Sequence, residues 1–124
     1  MLERRFRFHG QGGLRWLYRK GRSVSNQHMS LKYSRNASRV HSRFTVVVTK
    51  KVYKAAAKRN RIRRRVYEIV RRHWQQIEAP YDIALTVRDP LALVMPPEEL
   101  SQAVLGLLAS ARLLKNQQVE GGLK

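Results

Sequence analysis

Cysteine is absent from this chain of 124 residues. That excludes disulfides, thiolate-bound zinc and thiol catalysis, and it fits a reducing, cytoplasmic setting. Long apolar runs are missing too. The most apolar stretch, LSQAVLGLLASARLL, is interrupted by Gln, Ser and Arg, so no membrane span and no membrane partner are expected. Acidic residues are the third scarcity: 8 Asp+Glu stand against 26 Lys+Arg, a formal charge of +18. Their distribution is uneven. From Arg4 to Tyr67 there are 20 Lys/Arg and no acid at all, whereas 7 acids meet 6 basic residues from Glu68 onward. One half of the chain carries almost the whole excess, which is the footprint of a polyanionic partner. A basic surface kept only for solubility does not require so complete an exclusion of acids.

The groups that could carry chemistry are sparse. His9, His28, His41 and His73 lack metal-ligand spacing, and no Ser-His-Asp set or glycine-rich phosphate loop occurs. Glu68 is placed to pair with Arg64, Arg71 or Arg72 rather than to bind metal. Trp16 and Trp74 could stack on bases, although packing is the commoner use of tryptophan. The chain is therefore expected to hold no catalytic residue and no metal ligand of its own.

The length suits one domain, spanning 1–124, with an irregular start over about 1–12 and a frayed tail over about 116–124. MLERRFRFHGQGGLRW is Arg-rich like a transit peptide, but it runs directly into a folded pattern and is read as part of the domain. Gly10, Gly12 and Gly13 act as breakers. LRWLYRKG aligns Leu14, Leu17 and Tyr18 on one helical face, with Gly21 as C-terminal cap. Alternation predicts strands around 29–33, 44–48 and 83–87, with another possible near Val24. A long helix is expected from about Lys54 to Ile77, with Pro80 ending it. A last helix begins near Glu98 and Glu99, whose charges suit its dipole. All three main strands turn large apolar residues to one face and Ser30, Lys32, Thr45, Thr49, Ala84 and Thr86 to the other, which could floor a groove.

The stretch KRNRIRRRVYEIVRRHW (58–74) holds eight Lys/Arg, His73 and one acid, Glu68. With Ile62 taken as the centre of its buried stripe, Asn60, Arg64, Tyr67 and Arg71 project outward, flanked by Arg61 and Arg63. Guanidinium forks pair with phosphate in a bidentate way that lysine does not match, so phosphates are the expected counter-charge. On charge alone, a ribosomal or RNA-chaperone-like protein fits as well as a processing factor.

Order and spacing narrow the choice. Lys50-Lys51, then Arg59-Asn60-Arg61, Ile62, Arg63-Arg64 and Glu68, preceded by a Thr/Val strand, resemble the protein component of bacterial ribonuclease P. LRWLYRKGRSV, YDIALTVRDP and PPEELSQAVLGLLASARLL extend the resemblance over roughly residues 4–115. It implies a small two-layer α+β sandwich of order αβββαβα with a left-handed βαβ crossover, like the second domain of ribosomal protein S5. It also implies a subunit of a ribonucleoprotein that removes the 5′ leader of precursor tRNA. The RNA subunit and Mg2+ ions carry catalysis there, and no obligate protein partner is needed. By position, Lys50, Lys51, Arg59, Asn60, Arg61, Arg63 and Arg64 become contacts to the RNA subunit. Leu14, Tyr18, Lys32 and Asn60 fall in the leader-binding groove. The family's usual arginine before the glutamate is Tyr67 here, and Leu14 replaces an aromatic residue.

Overall fold

The computed structural model describes residues 2–8 and 11–115, with the side chains at 11 and 12 also left aside. The tail expected to fray lies outside the described residues. Seven elements follow in order: α1 (Gln11–Lys20), β1 (Arg22–Ser25), β2 (Met29–Arg35), β3 (Arg43–Val48), α2 (Ala56–Arg72), β4 (Tyr81–Val87) and α3 (Pro97–Ser110). Short 3-10 turns stand at Arg4–Phe6, Trp74–Gln76 and Pro90–Leu93. The αβββαβα order expected from the sequence is the observed one, and β1 is the extra strand near Val24. Among the described residues no helix is long and apolar enough to cross a membrane.

The four strands lie in the order β1-β2-β4-β3. β1 and β2 pair antiparallel, as do β2 and β4, while β3 runs parallel to β4 and reaches it through α2. Period-two alternation sends Met29, Leu31, Phe44, Val46, Val48, Ile83, Leu85 and Val87 to one face, where all are buried. Against that face α2 packs Ile62, Val66, Tyr67 and Val70, and α3 packs Leu100, Val104, Leu107 and Leu108.

The other face is covered in part, not left open. α1 and the N-terminal segment lie on it, closing Leu17 and Phe8 over Ala84 in a small second core with Leu14 at its margin. Residues 2–8 are thus built into the domain: Leu2, Phe6 and Phe8 are buried, and Phe6 lies 5.0 Å from the Trp74 ring. Gly12 and Gly13 do not break the chain as expected but sit inside α1. At Gly13 the reason is close packing, because a β-carbon there would come within 2.9 Å of the Phe8 ring.

β3 is an edge strand, yet three of its outward backbone groups are occupied. The Phe8 N–H donates to the Phe44 carbonyl at 2.9 Å, and the Val46 N–H donates to the Tyr67 hydroxyl at 3.2 Å. The Arg63 guanidinium reaches the Val48 carbonyl at 3.3 Å.

Candidate nucleic-acid interface

α2 begins at Ala56 and ends at Arg72, two residues later and five earlier than the apolar pattern indicates. Its N-cap, Ala55, supplies no side-chain bond, and no acid stands in the first turn. Those first turns are instead tied down by cations. Arg59 donates to the carbonyls of Tyr53 and Lys54 at 2.9 and 2.7 Å, and Arg63 donates to the Asn60 side-chain oxygen at 2.5 Å besides Val48.

Burial shows where the helix points. Ile62, Val66, Tyr67 and Val70 centre the buried arc roughly 65° away from Ile62 itself, at 100° per residue. Tyr67 therefore faces the core, not outward as the sequence suggests, and its ring meets Phe44 edge-on at 6.4 Å. The same rotation brings Arg59 and Arg63 to the inward side, where they reach the β3–α2 loop and the end of β3. Asn60, Arg61 and Arg64 stay exposed on the outward side, with Lys50 and Lys51 exposed just before the helix. Lower down, Glu68 accepts from Arg71 at 3.0 Å and from Arg72 at 3.4 Å. The Arg71 hydrogen bond, followed by the attraction of both guanidiniums, lowers the Glu68 pKa from 4.5 to about 2. Among the described residues of α2, the cations left without such an acid gather in its N-terminal half.

Arg65 is a cation that sequence reasoning did not single out. It turns inward to donate to the carbonyls of Ala92 and Leu93 at 2.7 and 2.9 Å, and to that of Met95. It pins the 3-10 turn after β4. Nothing in the run RIRRR separates it from its neighbours, because only the loop it meets gives it this role.

On the polar sheet face, α1 presents Tyr18 beside β4. Its hydroxyl shares a 2.9 Å hydrogen bond with Thr86 Oγ1, and the residue remains 38% exposed. Register sets Ser30 opposite Thr86, and Lys32 opposite Ala84, so Tyr18 and the half-buried Lys32 share this face. Thr45 and Val47 of β3 lie on it too, half-buried. Leu14 stands at the margin of the Leu17–Phe8 cluster. Asn60 is different: its side-chain oxygen accepts from Arg63 within α2, away from the α1 side of this face.

Two further acids are engaged elsewhere. Asp82 takes a two-pronged bond from Arg43 at 2.9 and 3.0 Å, and Asp89 accepts from Leu91 N–H and lies 2.7 Å from His28 Nδ1. Those two hydrogen bonds, the backbone one first, hold the Asp89 carboxyl below its ordinary range. Among the described residues no three His, Asp or Glu side chains gather to hold a metal ion.

Fold and charge together define a class: small, strongly cationic α+β proteins with one polar sheet face beneath a single helix and an arginine-rich helix on the other side. The family model for ribonuclease P matches residues 2–112. The ribonuclease P protein component of Synechococcus elongatus is 33% identical over 105 residues, covering 82% of this chain and 86% of that one. Its counterpart in Symbiobacterium thermophilum is 30% identical over 116 residues, covering 94% and 99%. The solved RNase P protein of Staphylococcus aureus matches with a TM-score of 0.80 at 26% identity, over 89% of this chain and 98% of that one. The Thermotoga maritima RNase P protein gives 0.74 at 26% identity, over 82% and 94%. The chain belongs to the bacterial ribonuclease P protein family, as the protein subunit whose partner is the ribonuclease P RNA.

Proposed function

We propose that this subunit grips the ribonuclease P RNA with the exposed cations before and within the first half of α2, and offers its polar sheet face to the single-stranded 5′ leader of precursor tRNA. Lys50, Lys51, Arg61 and Arg64 meet RNA phosphates directly. Arg59 and Arg63 brace the helix through backbone carbonyls and keep donors over for phosphate, since each guanidinium carries five. Asn60, exposed on α2, joins the RNA-subunit surface rather than the leader face. Cleavage belongs to the RNA subunit and its Mg2+ ions. Glu68, Asp82 and Asp89 are each engaged by a cationic or N–H partner, and among the described residues no three His, Asp or Glu gather to hold a metal ion, so the ions are assigned to RNA and substrate.

The observation that carries the leader assignment is Tyr18. Its hydroxyl is held by Thr86, its ring is partly exposed, and Lys32 stands on the same face. A ring so fixed can stack on a base with little loss of freedom, and a neighbouring ammonium can take the adjoining phosphate. The test compares Tyr18→Ala with Tyr18→Phe in the holoenzyme. Alanine should weaken precursor tRNA binding about tenfold or more, since stacking on an aromatic is worth roughly 1–3 kcal/mol per base. Phenylalanine keeps the ring and should retain most of the affinity, while mature tRNA, which has no leader, should bind all three proteins alike. Equal losses for precursor and mature tRNA would make Tyr18 a packing residue only.

A further inference from the structure

α3 ends at Ser110, before it reaches the corner where β1 begins and β2 ends, and a hollow of about 560 Å³ remains there. Register sets Arg22 opposite Tyr33, and Arg35 opposite Tyr81. Alternation places these four on the sheet face that bears Leu31 and Ile83. Lys20, at the end of α1, and Arg112, just past α3, complete the rim. The hollow thus opens mainly on the sheet face opposite Lys32, with Ser34 and Lys20 at its edge where the strands end. It is also at the opposite end of the strands from the first turns of α2, about 20 Å away along a seven-residue strand.

Four cations meet here without an acid in the lining. Among the described residues none of the four has a carboxylate within ion-pair distance. Helix dipoles account for a cation at the end of α1 and another past α3. They do not account for Arg22 and Arg35, which are strand residues. Nor do they explain the backbone at Arg112, whose φ of 59° is left-handed. Arg112 N–H bonds the Ala109 carbonyl and Leu113 N–H bonds the Leu108 carbonyl, which closes the helix through a residue position where glycine is usual. An arginine is kept where glycine would relieve strain, and it adds a fourth charge to three that already repel it. Strain and repulsion held together at one spot point to an anionic ligand.

We propose that this hollow is a second phosphate site, which takes the backbone of single-stranded RNA with a base against Tyr33 or Tyr81. Phosphodiesters carry one charge each, so four cations call for several linked phosphates rather than one. The assignment does not rest on α2 or on Tyr18.

The test uses a uridine decamer and the full chain carrying Arg22→Gln, Arg35→Gln and Arg112→Gly together, beside a separate Arg61→Gln/Arg64→Gln variant. Glycine suits the backbone at 112, so the unfolding midpoint of the triple variant should hold. Its decamer affinity should fall tenfold or more. Its log–log salt slope should become shallower by about 2, at roughly 0.7 per lost single-strand contact. The same drop should appear in the Arg61/Arg64 background, which separates this site from α2. Should the triple variant fail to fold, Arg112→Gly alone decides, with a slope change of about 0.7. An unchanged slope and affinity overturn the proposal. So does a hollow whose amides respond to inorganic phosphate while decamer binding stays as it was, which marks a small-anion trap.

Discussion

Arg64 and Arg65 are chain neighbours with opposite duties. Arg64 is exposed on the outward side of α2, and Arg65 is half-buried against three carbonyls of the Pro90–Leu93 turn and its exit. Hydrogen bonds from a charged donor contribute about 1.5–3 kcal/mol each, and a carbonyl left unpaired adds to the loss. Arg65→Ala should therefore destabilise the fold by about 2 kcal/mol or more in urea unfolding. Arg64→Ala should stay within about 0.5 kcal/mol. Glu68 gives a pH signature at the same scale. Its folded pKa is depressed from 4.5 to about 2 by Arg71 and Arg72, so its contribution is complete above the ordinary value and is lost as pH falls through the folded one. Between pH 5 and about 2 the unfolding midpoint of the parent should drop more steeply than that of Glu68→Gln, as read by circular dichroism.

At the scale of elements, strands were the most legible part of the sequence. The alternation in MSLKY, RFTVVV and YDIALTV marks both faces, and β2, β3 and β4 bury the residues that it selects, except that Tyr33 is only half-buried. α2 was legible as a helix but not in its phase. Ile62 is fully buried, yet Tyr67 is buried on the far side of the stripe, and a tyrosine among arginines reads as polar until its hydroxyl finds the Val46 N–H. The early end at Arg72 has a tertiary cause: the chain turns at Trp74–Gln76 so that Ile77 can bridge to Leu114 before β4. The same phase sorts the candidate site. Arg59→Ala and Arg63→Ala should lower both the unfolding midpoint and affinity for the RNA subunit. Arg61→Gln and Arg64→Gln should lower affinity alone, with the salt slope shallower by roughly 0.7–0.9 for each. Assembly titrations at several salt concentrations, paired with melting curves, distinguish the two groups. A midpoint loss in all four would make the whole helix structural.

At the scale of the molecule, the polar face exists because distant segments meet on it. Residues 2–8, α1 and β4 close the Phe8–Leu17–Ala84 cluster and leave a partly exposed strip beside it. No local pattern could show that Phe8 belongs under α1, since its partners lie 9 and 76 positions along the chain. The edge of β3 has a further consequence. Phe44–Val48 reads FTVVV, uncharged and β-branched, the kind of segment that templates identical copies into cross-β stacks. Three unlike donors and acceptors, from the N-terminal segment, Tyr67 and Arg63, occupy three of the backbone atoms that such a stack would use. Removal of residues 2–8 frees the Phe44 carbonyl and bares the rim of the strand. The shortened chain should scatter light and bind thioflavin at concentrations where the full chain stays clear. The segment that roofs the second core thus also acts as a guard against self-seeding, keeping a valine-rich edge from pairing with its own copies.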